Sequence, residues 1–91
     1  MESNENISIN VLVFDDNPND FELLQYHLRQ MDGIRLQYCS NFKAFQQNLK
    51  EESFSIIICD YGLGSMTGVE VFEYVQEQGM TIPCIIFSGR R

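Results

Sequence analysis

Four polar residues of the chain lie at the ends of apolar segments: Asp15, Asp16, Asp60 and Ser88. The apolar segments are 7–14, 54–59 and 82–87, and each has a continuous run of large apolar side chains, which is typical of a strand buried on both faces. Carboxylates held close together raise one another's pKa unless a cation neutralises them, and an acidic oxygen site suits Mg²⁺. A carboxylate can also attack phosphorus and form an aspartyl phosphate.

The elements that must position these residues alternate along the chain. A fourth strand is predicted at 34–39, where apolar and polar residues alternate, as expected at the edge of a sheet. Segments with helical spacing separate the strands, so the predicted order is β-α-β-α-β-α-β. This order predicts an α/β fold in one domain spanning residues 1–91, with a doubly wound parallel sheet. Ligands of such sheets bind outside the carboxyl ends of the strands.

Local signals predict where the helices begin. Asn17 is a good N-cap and Pro18 a good first helical residue, so the first helix starts there and continues to Asp32-Gly33. Ser40 is expected to cap the second helix. The third helix is expected to present one apolar face, whose members are Val69, Phe72 and Val75.

Composition excludes several classes of function. The formal net charge is −7 with only six Lys plus Arg, which argues against nucleic-acid binding by this domain. No apolar run approaches the roughly 20 residues that cross a bilayer. Residues 1–10 are polar and acidic, unlike a signal peptide. The cysteines Cys39, Cys59 and Cys84 fit no zinc pattern and are expected to be free and buried, which favours the cytoplasm.

The chain resembles the receiver domain of two-component response regulators from about Ile9 to Gly89. The pair Asp15-Asp16 is similar to the family's acidic pair, and Asp60 corresponds to its phospho-acceptor. The stretch 60–68 resembles the acceptor loop, with Leu63 and Gly68 at matching places. Ser88 corresponds to the Ser or Thr that closes the fourth strand.

The resemblance implies roles for these residues. Asp60 would accept a phosphoryl group from a phospho-histidine of a sensor histidine kinase or phosphotransfer protein, with Mg²⁺ bound. Asp16 would be the more direct metal ligand, Asp15 would act partly through water, and the backbone carbonyl of Gly62 would complete the protein ligands. Ser88 would move toward the phosphoryl oxygen. The domain would not be an enzyme beyond promoting its own phosphorylation and dephosphorylation.

The chain departs from the family pattern after its fourth strand. The resemblance implies a flavodoxin-like strand order 2-1-3-4, with the fifth strand and the last two helices absent. The family's fifth-strand lysine has no counterpart, because Lys43 and Lys50 lie on the second helix. An open apolar edge at the fourth strand would follow. We therefore expect a truncated receiver, or a homodimer that forms by pairing or exchanging elements.

Three alternatives come from other functional classes. A degenerate receiver would act only as a protein–protein interaction or dimerisation module. A phosphatase with an Asp nucleophile would need a second Asp two residues later, where this chain has Gly62 or Asn17. A flavin-binding protein would need a Ser-, Thr- or Gly-rich phosphate loop, and the acidic sequence 15–18 is electrostatically wrong for one.

Overall fold

Four parallel strands form one sheet in the computed structural model, which describes residues 8–87. The elements in chain order are β1 (Ile9–Phe14), α1 (Pro18–Leu28), β2 (Ile34–Cys39), α2 (Phe42–Glu51), β3 (Ile56–Asp60), α3 (Gly68–Glu77) and β4 (Cys84–Phe87). The strand order is β2-β1-β3-β4. This confirms the predicted α/β fold and the predicted order of these strands.

The register of the sheet aligns the carboxyl ends of its strands. Phe14, the last residue of β1, pairs with Cys39 on β2 and with Cys59 on β3. On the other side of β3, Asp60 pairs with Phe87 of β4. The residues that follow β1 therefore lie at the same edge of the sheet as Asp60.

The core lies between the sheet and the pair of helices α2 and α3. Alternate strand residues face this core, and Leu12 and Ile57 have no exposed surface. Phe45 of α2 is also fully buried and stacks on Phe14 with ring centroids 5.0 Å apart. Burying each such side chain contributes roughly 1.5–3 kcal/mol to folding. This packing makes β1 and β3 a rigid support for the residues at their ends.

Helix α1 packs more loosely than the other two helices. None of its residues is buried, although Phe21, Leu24 and Leu28 are half-buried on one face. The helix ends at Leu28, before the predicted limit at Asp32-Gly33. No helix among residues 8–87 is long and apolar enough to cross a membrane.

All three helices begin at a side-chain cap, and that of α3 is Thr67, whose hydroxyl oxygen accepts from the Glu70 amide at 3.3 Å. Asn17 caps α1 as predicted, since its side chain accepts from the Asn19 amide at 3.0 Å. The prediction for α2 was wrong: Asn41, not Ser40, is the cap and accepts from the Ala44 amide at 2.8 Å. Both residue types are good caps, so only the path of the backbone decides between them.

The predicted face of α3 was right for Val75 but wrong for its other two residues, Val69 and Phe72. Val69 and Phe72 are exposed by 45% and 36%, whereas Val71 and Val75 are buried together with Gly68. The buried positions follow helical spacing from Gly68, and a glycine carries no apolar side chain that a hydrophobic pattern could detect.

Gly68 is required where α3 meets the sheet. A Cβ atom at this position would lie 2.8 Å from the Ile86 side chain and 2.9 Å from the Asp60 carbonyl oxygen. We expect Gly68→Ala to lower the free energy of unfolding by roughly 1–3 kcal/mol, because the sheet backbone must move. Urea denaturation measures the loss.

Gly62 provides the matched control for this substitution. A Cβ atom there would have no neighbour within 4 Å. Gly62→Ala should therefore leave stability within about 0.5 kcal/mol of the wild type. Equal losses in the two variants would contradict the close packing at Gly68.

Candidate metal centre at the carboxyl edge of the sheet

The structure brings Asp15, Asp16 and Asp60 together. Each contributes a carboxylate oxygen to a cluster in which these atoms lie within 4.8 Å of one another. Asp15 and Asp60 are only 1% and 8% exposed, whereas Asp16 is exposed. The cluster is therefore an acidic site with a buried floor and an open side.

Asp15 has one oxygen that the described protein does not satisfy. Its backbone amide donates to the Cys39 carbonyl at 3.2 Å, and its Oδ1 accepts from the Asn17 amide at 2.9 Å. Its Oδ2 is buried and has no hydrogen-bond partner among residues 8–87. A buried carboxylate oxygen without a partner is costly, so this atom favours a bound cation.

Burial and repulsion both act on the Asp15 carboxylate. Burial is the main cause that raises its pKa to about 6, and the Asn17 amide opposes this effect. The negative charges of Asp20, Asp60 and Asp16 raise the pKa further. The metal-free site therefore holds more negative charge than its surroundings stabilise.

The basic side chains of the described region make their contacts elsewhere. Lys43 and Lys50 lie on α2. The Arg29 guanidinium stacks over the Tyr26 ring at 4.1 Å from its centroid, and Arg35 donates to the Asn10 side chain at 3.1 Å. None of these contacts places a positive charge on the acidic cluster.

Tyr38 is a residue at this site that the sequence analysis missed. Its hydroxyl donates to the backbone carbonyl of Asp15 at 2.8 Å, and its ring stacks on Phe21 with centroids 4.7 Å apart. Burial raises the pKa of Tyr38, and the negative charge of Asp15 adds to this effect. Alternation along 34–39 places Tyr38 on one face, but only the strand register shows that it reaches Asp15.

The donor set fits Mg²⁺. Two ligands of this ion, each about 2.1 Å away, are at most about 4.2 Å apart, which is close to the spacing of the clustered oxygens. The ion takes few protein carboxylates and keeps water or substrate oxygens in its other positions. The open side of the cluster at Asp16 leaves space for such ligands.

Gly62 lies two residues after Asp60, in the loop before α3. The loop is closed by two backbone hydrogen bonds, from Leu63 to Met66 at 2.9 Å and from Gly68 to Tyr61 at 2.8 Å. Neither bond uses the carbonyl of Gly62. Its proposed role as a metal ligand stays a prediction.

Ser88 lies outside the described residues. The structure describes β4 as far as Phe87, which pairs with Asp60 and accepts from the Tyr61 amide at 2.7 Å. The role predicted for Ser88 at the phosphoryl group therefore stays a prediction.

Comparison with protein families shows which family the chain belongs to. The model of the response regulator receiver domain matches residues 11–91. The chain belongs to the response-regulator receiver family.

Its curated relatives are longer proteins. The receiver is 30% identical over 82 residues to the transcriptional regulatory protein MalR of Bacillus subtilis, and 26% identical over 81 residues to ZraR of Klebsiella oxytoca. These matches cover 89% of the chain but only 35% of MalR and 18% of ZraR. The chain thus spans well under half of either relative.

Solved structures share the receiver fold. A MaeR response regulator bound to beryllium trifluoride matches with a TM-score of 0.80 at 14% identity, over 91% of this chain and 69% of that one. The receiver domain of Francisella response regulator 1452 matches with a TM-score of 0.79 at 20% identity, over 89% and 66% of the two chains. At these identities the likeness establishes the fold alone.

The raised pKa of the buried Asp15 carboxylate predicts how the stability of the metal-free receiver depends on pH. Its pKa is 3.8 in an unfolded chain and about 6 in the fold, so the folded state binds more protons between these values. Stability should therefore fall as the pH rises from about 4 to about 6 and stay low above that. Asp15→Asn should remove this fall and stabilise the metal-free protein by roughly 1–3 kcal/mol at pH 7.

Urea unfolding in the presence of a chelator, at pH 4 and at pH 7, measures this effect. Asp20→Asn is the matched control, since Asp20 is less buried and contributes only repulsion to the Asp15 carboxylate. An Asp15→Asn variant that is less stable than the wild type at pH 7 would refute the electrostatic account.

Proposed function

We propose that this receiver accepts a phosphoryl group on Asp60 from a phospho-histidine of a sensor histidine kinase or phosphotransfer protein, in a Mg²⁺-dependent two-component relay. The observation that carries the proposal is the cluster of Asp15, Asp16 and Asp60, in which one buried oxygen lacks a partner among the described residues. A fold that acted only through contacts would have no use for this costly arrangement.

The reaction transfers one group between two side chains. A carboxylate oxygen of Asp60 attacks the phosphorus, a P–O bond forms, and the P–N bond to the donor imidazole breaks. The donor imidazole carries a proton on its other ring nitrogen, so it takes the electron pair of the P–N bond and leaves as a neutral group. Water later hydrolyses the acyl phosphate and restores the Asp60 carboxylate, so the domain modifies only itself and is not an enzyme acting on other substrates.

The residues of the chain divide this task. The sheet holds Asp60 at the end of β3. Because folding has already restricted its side chain, little further conformational entropy is lost when it reacts. Asp15, Asp16 and the carbonyl of Gly62 would hold the metal ion. When bound, Mg²⁺ neutralises the carboxylates and the charge that develops on the phosphoryl oxygens. Ser88 would donate a hydrogen bond to one of those oxygens.

The longer relatives of the receiver indicate its role in a regulatory protein. The relatives MalR and ZraR are transcriptional regulatory proteins, and the receiver corresponds to a minor part of each. We therefore place it as the input domain, spanning residues 1–91, whose phosphorylation controls an output located elsewhere. A cytoplasmic location agrees with the free thiols of Cys39, Cys59 and Cys84.

A second candidate function is a contact or dimerisation module without phosphoryl chemistry. It is favoured by β4, which is an edge strand of the described sheet and exposes 52% of Ile85. Exposed apolar edge strands pair readily with other strands. This candidate predicts self-association that does not depend on Asp60.

Intact mass spectrometry after incubation with acetyl phosphate and Mg²⁺ tests the main proposal. We expect an adduct of one phosphoryl group on the wild type. The adduct should be lost when a chelator replaces Mg²⁺, because the anionic donor then meets an acidic cluster without a cation.

Asp60→Asn is the control, since it keeps the size of the side chain and removes the nucleophile. It should give no adduct while remaining folded, with a free energy of unfolding at least as high as that of the wild type, because one of the repelling charges is removed. A folded wild type that binds Mg²⁺ yet forms no adduct would refute phospho-acceptance and favour the contact module. An adduct of equal yield on Asp60→Asn would assign the chemistry to another residue.

A further inference from the structure

Tyr38 contacts the metal centre through the backbone rather than through a carboxylate. Asp15 is the first residue after β1, where the pairing of the strands ends. Its amide still bonds to the Cys39 carbonyl, but its own carbonyl accepts from the Tyr38 hydroxyl at 2.8 Å. The hydrogen bond from the Tyr38 side chain of β2 therefore takes the place of the next backbone hydrogen bond of the sheet.

The hydrogen bond from Tyr38 fixes the peptide plane between the two acidic residues. The carbonyl of Asp15 and the amide of Asp16 belong to the same planar unit. Rotating this plane would turn both residues, and with them the direction in which each carboxylate leaves the backbone. Since Asp15 Oδ1 already accepts from the Asn17 amide, Oδ2 is the oxygen that has no hydrogen-bond partner among the described residues.

The ring of Tyr38 is itself held in place. It is half-buried and stacks on Phe21 of α1, with an angle of 23° between the ring planes. Phe21 lies in the first turn of α1, directly after the loop that carries the acidic pair. One side chain thus links β2, the end of β1 and the start of α1.

We propose that Tyr38 is a positioning residue for the metal centre, which acts by orienting the Asp15–Asp16 peptide through its hydroxyl. The inference rests on the proposed metal-dependent function. A cation is bound most tightly when its ligands need no reorientation, and partners that orient ligands commonly change metal affinity. Losing the hydroxyl should therefore weaken metal binding without removing any ligand.

The test compares Tyr38→Phe with the wild type by titration with Mn²⁺, a probe whose free form is counted by electron paramagnetic resonance. Phenylalanine keeps the stacked ring and removes only the hydroxyl. We expect the dissociation constant for Mn²⁺ to rise roughly three- to tenfold, the worth of one hydrogen bond. Tyr26→Phe is the matched control, because Tyr26 is 57% exposed and lies over Arg29 rather than at the site. It should bind Mn²⁺ like the wild type.

Two further measurements separate positioning from a merely structural role. The amide resonance of Asp16 in ¹H–¹⁵N spectra should move in Tyr38→Phe, because its peptide plane loses the hydrogen bond. The rise in melting temperature caused by Mg²⁺ should shrink in Tyr38→Phe, whereas a purely structural loss would lower the melting temperature equally with and without the ion.

The outcomes distinguish this inference from the function on which it rests. A wild type that binds no Mn²⁺ would overturn the proposed metal-dependent function itself. A wild type that binds Mn²⁺, with Tyr38→Phe within a factor of two of it, would overturn the role of Tyr38 and leave the function standing. If Tyr38→Phe folds poorly, Phe21→Leu takes its place, because it loosens the ring while keeping the hydroxyl. This variant should weaken Mn²⁺ binding roughly two- to threefold, and unchanged binding would refute the inference.

Discussion

The parallel pairing of β1 with β3 is the constraint on which the site depends. It aligns the last residues Phe14 and Cys59, so the acidic residues that follow must share one edge of the sheet. Repulsion among these carboxylates opposes the pairing, and the buried side chains beneath it supply the compensating free energy. Leu12 and Ile57, both without exposed surface, are among the buried side chains that stabilise this pairing.

The two sides of the sheet are unequal. Helices α2 and α3 bury an aromatic and aliphatic core, whereas α1 on the other side has no buried residue. The acidic loop lies at the start of this loosely packed helix. Its geometry therefore depends on a few directed hydrogen bonds, to Asn17, Cys39 and Tyr38, rather than on dense packing.

Sequence predicted the features that depend on pattern and order. Alternating periods located the strands, and the strand order followed from the resemblance, so the meeting of Asp15 with Asp60 was predictable. What escaped prediction depends on contacts between elements. Asn41 and Ser40 are equivalent as caps until the backbone path is known, and the face of α3 is set by Gly68, which has no side chain to reveal it. Tyr38 required the register of two strands and a stacking partner on a third element.

The unsatisfied oxygen of Asp15 also bears on how long the molecule persists in a cell. Without a cation this buried charge lowers the cost of opening the sheet edge, and proteases cleave chains in proportion to the time they spend open. Binding of the proposed ion would oppose this opening, because the ion binds only the folded site. The same buried oxygen would therefore affect both the proposed metal binding and the resistance of the fold to proteolysis.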